Sequence, residues 1–154
     1  MYNLITAITN APCVYPIYLS YAKSDYITTS ILSFVSAASI VSHLAENHKH
    51  GMPGIFNIST NTSYILNRLD VFGAIMTGMR MAYLYYHKFG VNINVFFKHP
   101  YECFFMLLPL LFLRISEYDK YNVKLRPMYL VMHSIWHMTV FASIAYYLRY
   151  FIYL

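Results

Sequence analysis

The sequence predicts an all-α fold, a multi-pass transmembrane helical bundle of about five spans, and three observations predict it. The 154 residues are 58% hydrophobic and 11% charged, where an ordinary soluble domain carries about a quarter charged residues. The apolar residues fall into five stretches, approximately 3-22, 26-46, 63-87, 101-117 and 127-150, each close to the roughly 17–25 residues that cross a bilayer core. Ten of the seventeen tyrosines cluster at stretch ends: Tyr83, Tyr85, Tyr86, Tyr146, Tyr147, Tyr150 and Tyr153 at one set, Tyr118, Tyr121 and Tyr129 at the other. Interfacial aromatic belts have that distribution. One integral membrane domain, 1-154, accounts for the whole sequence.

The first stretch lacks the basic residues that open a cleavable signal peptide, so it reads as a retained span, and Pro12 and Pro16 predict a kink in it. The second ends with Ser39 and His43 ahead of a wet loop, "ENHKHGMPGIFN" (46-57), which contains His48 and His50. Those two histidines are expected to be solvated and outside any site, and Asn57 and Asn61 each open an Asn-x-Ser sequon. A cap at Ser63 is expected to start the third stretch, where Ala74, Gly78 and Ala82 recur at four-residue spacing. Such a small-residue stripe admits a neighbouring helix at short distance. The fourth stretch is short and holds Pro109, with Glu102 and Arg114 near its ends; the fifth carries "MHSIWH" (132-137).

Cys13 and Cys103 both lie inside spans, which leaves no disulfide framework and no cysteine-type zinc site. The net charge of +5 is spread over short loops without a basic run. Nucleic acid is therefore not an expected partner, and the lipid bilayer with its anionic headgroups is. Six Lys and Arg on one side against four on the other favour a cytosolic face for the histidine end.

An ionisable side chain inside a span costs at least about 2.5–3.5 kcal/mol and so requires a partner or a purpose. His43, Asp70, Arg80, His133 and His137 are the residues concerned. If the chain crosses at each span, His43, Asp70, His133 and His137 share one layer near one interface. Arg80, about 15 Å along its helix from Asp70, is expected to snorkel to the other interface or meet Glu102. His133 and His137, four residues apart, stack on one helix face, as two adjacent metal ligands do. With His43 they make the three-imidazole set of a catalytic Zn²⁺ site with one open position. Asp70 suits a general base or a group that orients a ligand, and Ser39, one turn before His43, suits a hydrogen-bond donor to an oxyanion.

Ser39-x-x-x-His43 at the end of a second span, an Asp near the start of the third, and His133-x-x-x-His137 in the last resemble the alkaline ceramidase and progestin/adipoQ receptor superfamily, often called CREST. That resemblance implies Zn²⁺ held by three His, with the Ser and Asp beside the metal-bound water. It implies a membrane lipid substrate, the amide of a ceramide-like lipid, cleaved by a zinc-dependent hydrolase, or a related receptor role. Members of that superfamily typically have seven spans, whereas only 62 residues separate Asp70 from His133, so this chain reads as a shortened five-span form. A homodimer would close a cavity that the absent helices otherwise wall. Two other classes compete: a non-catalytic structural or fusion-type membrane protein that keeps a structural zinc site, and a haem protein ligated by His43 with His133 or His137.

Overall fold

A computed structural model describes residues 2–45, 54–56, 58–118 and 122–154. His48, His50 and Asn57 lie outside the described residues. Among those described the structure is all-helical.

The first apolar stretch is a broken helix. α1 (Tyr2–Ile8) gives way to a 3₁₀ turn at Ala11–Cys13, and α2 (Val14–Ala22) continues beyond it. Pro12, inside that turn, lacks the N–H that a continuous helix needs. α3 (Tyr26–Leu44) starts at Asp25, whose carboxylate accepts from the Thr28 backbone N–H. α4 (Thr60–Phe89) starts one turn earlier than expected, because Ser59 and not Ser63 provides the cap, its hydroxyl accepting from the Thr62 N–H. It stops at Gly90, which takes the positive φ of 63° that favours glycine. After a single short turn, α5 (Asn94–Lys98), come α6 (Pro100–Ser116) and α7 (Arg126–Tyr147), the latter running into a π-helical turn at Leu148–Ile152. Among the described residues two stretches, Tyr26–Leu44 and Val123–Ile152, are long and apolar enough to cross a membrane, by length and composition.

α3 and α4 form one extensively packed hairpin, α6 and α7 another, and α1 and α2 lie against both α3 and α7. Within the first hairpin the register is antiparallel: Gly73 meets Val35, and Arg80 Nε donates to Thr28 Oγ1 at 2.9 Å. Both pairs of numbers sum to 108, which puts Ser39 level with Leu69 and Asp70. The small-residue stripe predicted at Ala74, Gly78 and Ala82 is not the packing face, since all three are exposed. The buried face of α4 is Ser63, Asp70, Gly73 and Thr77. A Cβ on Gly73 would sit 3.0 Å from Cα, Cβ and Cγ2 of Val35, whereas one on Gly78 would meet nothing within 4 Å. Gly73→Ala is therefore expected to destabilise the fold by about 1–3 kcal/mol. Gly78→Ala should be neutral or stabilising by up to about 1 kcal/mol through helix propensity; thermal unfolding of the two variants side by side checks the contrast.

The distribution of polarity is reversed from that of a soluble helical domain. Asn3, Thr6, Asn10, Ser20, Thr28, Ser39, Asp70, Thr77, Ser116 and Ser143 are buried, while Ile27, Phe72, Ile75, Met79, Phe104, Leu107, Leu110 and Leu111 are exposed. The apolar core is small. Cys13, Leu32, Phe141, Ile144, Tyr147 and Leu148 form it, on the side of the histidine layer towards the C-terminal end of α7.

Beyond that core, Arg80 meets Asp25 and not Glu102. Arg80 Nη2 lies 2.8 Å from Asp25 Oδ1, and the Tyr153 hydroxyl donates to Asp25 Oδ2 at 3.0 Å. Burial pushes the Asp25 carboxyl up, but hydrogen bonds from Thr28 and Tyr153 and the Arg80 charge outweigh it and hold its pKa below the usual carboxylate value. Asp25, the cap of α3 three residues before Thr28, which lies level with Arg80, offers Arg80 an opposite charge.

Candidate metal centre

His43 comes from the last turn of α3, and His133 and His137 come from successive turns of α7. The three side chains are buried, and a nitrogen from each lies within 4.8 Å of the other two. Their ring centroids are 4.8–5.0 Å apart. His43 Nε2 and His137 Nε2 are separated by 3.3 Å. Two nitrogens each about 2.0–2.1 Å from a tetrahedral Zn²⁺ are about 3.3 Å apart, so this pair already spans one edge of a zinc coordination shell. No slot remains between the rings for the porphyrin plane that separates two axial imidazoles, and the haem alternative does not fit this arrangement.

The hydrogens around the outer ring nitrogens indicate which nitrogens face the centre. Ser116 Oγ donates to the Leu113 carbonyl at 2.7 Å and stands 3.2 Å from His133 Nδ1. A hydroxyl has one hydrogen, and here the carbonyl takes it, so Ser116 accepts from His133 and Nδ1 carries the proton. The same arithmetic applies to His137. Thr9 Oγ1 donates to the Thr6 carbonyl at 2.7 Å and sits 3.1 Å from His137 Nδ1, which also lies 3.2 Å from the Thr6 carbonyl itself. The Asn10 amide, 3.3 Å from the same nitrogen, has carbonyl acceptors at Thr6 and Ala7 for its two hydrogens. Both α7 imidazoles are therefore protonated on Nδ1, and their Nε2 lone pairs are left for a cation.

This outer layer was not anticipated from the sequence. Thr6, Thr9, Asn10 and Ser116 are ordinary small polar residues, and only their spacing marks them: Asn3, Thr6 and Asn10 recur at three and four residues in an otherwise apolar stretch, the repeat of a single helical face. Ser116→Ala, which leaves His133 Nδ1 without its acceptor, is expected to lower zinc affinity about 10- to 100-fold. Competition with a chromophoric chelator measures that change, and an unaltered affinity would remove Ser116 from the site.

Asp70 and Ser39 are both buried at the same level of the α3–α4 hairpin. The mutually close ligand atoms are those of His43, His133 and His137, and Asp70 is not among them. The Ser39 hydroxyl is buried with no hydrogen-bond partner among the described residues, an unusual state for a group whose burial unpaired costs about 1–3 kcal/mol. Ser39, one turn before His43, is where a donor to a ligand at the centre would stand. The three imidazoles, the Nδ1 acceptors of His133 and His137 and this hydroxyl fit a cation with one exchangeable position.

No family model matches the chain, and no solved structure matches it. Aligned over 154 residues, 99% of this chain and the full length of the relative, the sequence is 47% identical to an uncharacterized protein of Acanthamoeba polyphaga mimivirus. The chain belongs to the family of that viral protein.

Proposed function

We propose that this chain is a zinc-dependent membrane hydrolase, a shortened five-span relative of the alkaline ceramidase and progestin/adipoQ receptor superfamily, that cleaves an amide or ester bond of a lipid such as ceramide. The observation that carries the proposal is the 3.3 Å Nε2–Nε2 separation of His43 and His137 beside His133, with the two α7 Nδ1 hydrogens already committed to acceptors.

The reversed polarity supports the five-span arrangement. α4 and α6 bury serine, threonine and aspartate and turn isoleucine, leucine and phenylalanine outward, the pattern of helices whose surroundings are hydrocarbon. His43 is one residue from the end of α3 and His133 seven residues from the start of α7. These positions lie within about 10 Å of the helix ends, which is the depth of the amide and ester groups of a membrane lipid.

Zinc, when bound, supplies a polarised carbonyl and a water acidic enough to attack near neutral pH. The chain does the rest. The Nε2 lone pairs of His43, His133 and His137 would hold the ion, and the outer acceptors fix the rings of His133 and His137. Asp70 takes the proton of the attacking water and returns it to the departing amine or alcohol, a transfer its carboxylate can make in both directions. Ser39 donates its hydroxyl hydrogen to the substrate oxygen as negative charge develops there, and its lack of a partner among the described residues leaves it ready for that role.

Elemental analysis of detergent-purified protein, followed by turnover of a fluorescent short-chain ceramide and its ester analogue with and without a chelator, tests the proposal. One zinc per chain and turnover abolished by chelation and restored by zinc are expected. Stoichiometric zinc with no turnover on either lipid would assign the chain to the non-catalytic class. Protein free of zinc that takes up none on titration would overturn the proposal.

A further inference from the structure

At the end of the bundle away from the histidines lies a second candidate site, a half-open cavity of about 300 Å³. Lys88 and Phe89 at the end of α4, His99 just before α6 and Glu102 in its first turn, Tyr146 at the end of α7, and Tyr150 and Phe151 in the π-helical turn beyond it line it. Tyr146 and Tyr150 are nine and thirteen residues beyond His137, about 13 to 20 Å along the helix, so the cavity is separate from the metal centre.

Its chemistry is mixed in a particular way. Four of these seven residues carry phenyl or phenol rings, and the Tyr146 ring stands 4.8 Å from Tyr150 and 6.2 Å from Phe151, with Lys88 Nζ 5.8 Å from the Phe89 ring and the Arg149 guanidinium 5.4 Å from the Tyr150 ring. Aromatic faces attract a cation that carries no hydrogen-bond donor, and a quaternary ammonium is the ion best served by them. Glu102 adds a full negative charge and engages His99 Nδ1 only at 3.4 Å. Lys88 brings the opposite charge: its ammonium donates to main-chain oxygens of Ile152 and Leu154 at 3.0 Å each, which leaves one of its three N–H groups for another acceptor. A plain anion would meet Glu102 and a plain cation would meet Lys88. A zwitterion satisfies both.

We infer that this cavity binds a phosphocholine headgroup, the trimethylammonium among Phe89, Tyr146, Tyr150 and Phe151 beside Glu102, and the phosphate against Lys88. A primary ammonium would need hydrogen-bond acceptors for three N–H groups, and Glu102 is the one carboxylate lining the cavity, so choline is favoured over ethanolamine. The cavity lies at the tyrosine-rich ends of α4 and α7, where headgroups sit if the helices span a bilayer. In that respect the inference rests on the membrane arrangement proposed above, and it is independent of zinc.

The full chain in a maltoside detergent, which has no choline group, is titrated with soluble glycerophosphocholine. The same protein is then exposed to equimolar phosphatidylcholine, phosphatidylethanolamine and phosphatidylglycerol, and the retained lipids are weighed by native mass spectrometry. Saturable binding of glycerophosphocholine and preferential retention of phosphatidylcholine are expected, both weakened about tenfold by Glu102→Gln and by Tyr150→Leu. Glu102→Gln preserves shape and remains informative if Tyr150→Leu fails to fold. No binding of glycerophosphocholine, equal retention of the three lipids, or indifference to Glu102→Gln would overturn the inference. Zinc content and hydrolysis of the same samples are read separately, so loss of headgroup selectivity with zinc retained fails this inference alone.

Discussion

His137→Ala is expected to leave the purified protein without zinc and to lower its thermal stability well below that of the native chain. His137 is the most enclosed of the three imidazoles, at 1% exposure, and it ties the bundle together in two directions. Its Nε2 faces His43 of α3 and its Nδ1 faces Thr6, Thr9 and Asn10 of the first apolar stretch. Removing the ring breaks the zinc edge and leaves buried polar groups without their partner, at about 1–3 kcal/mol each. It also removes the metal's own contribution to stability, about 2.7 kcal/mol where free zinc is a hundredfold above its dissociation constant. Native protein should therefore lose melting temperature on chelation, while the variant, already metal-free, should show no chelator-dependent shift. Elemental analysis and paired melting curves measure both effects. Stoichiometric zinc in the variant would show that His137 is not a ligand.

Asp70→Asn and Ser39→Ala should behave in the opposite way, keeping zinc and fold while losing lipid turnover by about 10²–10³. Asparagine matches the shape of aspartate but accepts no proton, so the exchange removes base function and little else. Ser39→Ala removes a hydroxyl that has no hydrogen-bond partner among the described residues, so its structural cost should be small and its effect should fall on kcat. The α3–α4 register places the two residues level with each other, and their variants should consequently be less than additive when combined. Full turnover in Asp70→Asn with zinc bound would require a different proton acceptor.

Much of this histidine cluster is legible in the sequence, and the legible part has a common physical basis. Ionisable groups are scarce in an apolar chain and expensive inside it, so His43, Asp70, His133 and His137 stood out by cost alone. The four-residue spacing of His133 and His137 then placed both on one face of α7, a local property of any helix. Arg80 shows the limit of the same reasoning. Its need for a partner was evident, but Asp25 lies outside the apolar stretches and was not counted among the groups available to it. The small-residue stripe of α4 failed for a related reason. Ala74, Gly78 and Ala82 and the true packing face around Gly73 both satisfy a helical repeat, and nothing local distinguishes them.

What the sequence by itself determined is the helical class, the approximate extent of each helix and the identity of the three imidazoles, because helix length, proline positions and the penalty on charge are written in consecutive residues. Only the tertiary structure decided which face of each helix turns inward, that Thr6, Thr9, Asn10 and Ser116 hold the imidazoles, and that Glu102 borders an aromatic cavity. In a soluble domain, hydrophobic periodicity reveals the inward face of each helix. Here large apolar side chains lie on exposed faces as well as in the core, so that signal fades, and the rotation of each helix about its axis is settled by contacts between residues up to 134 positions apart.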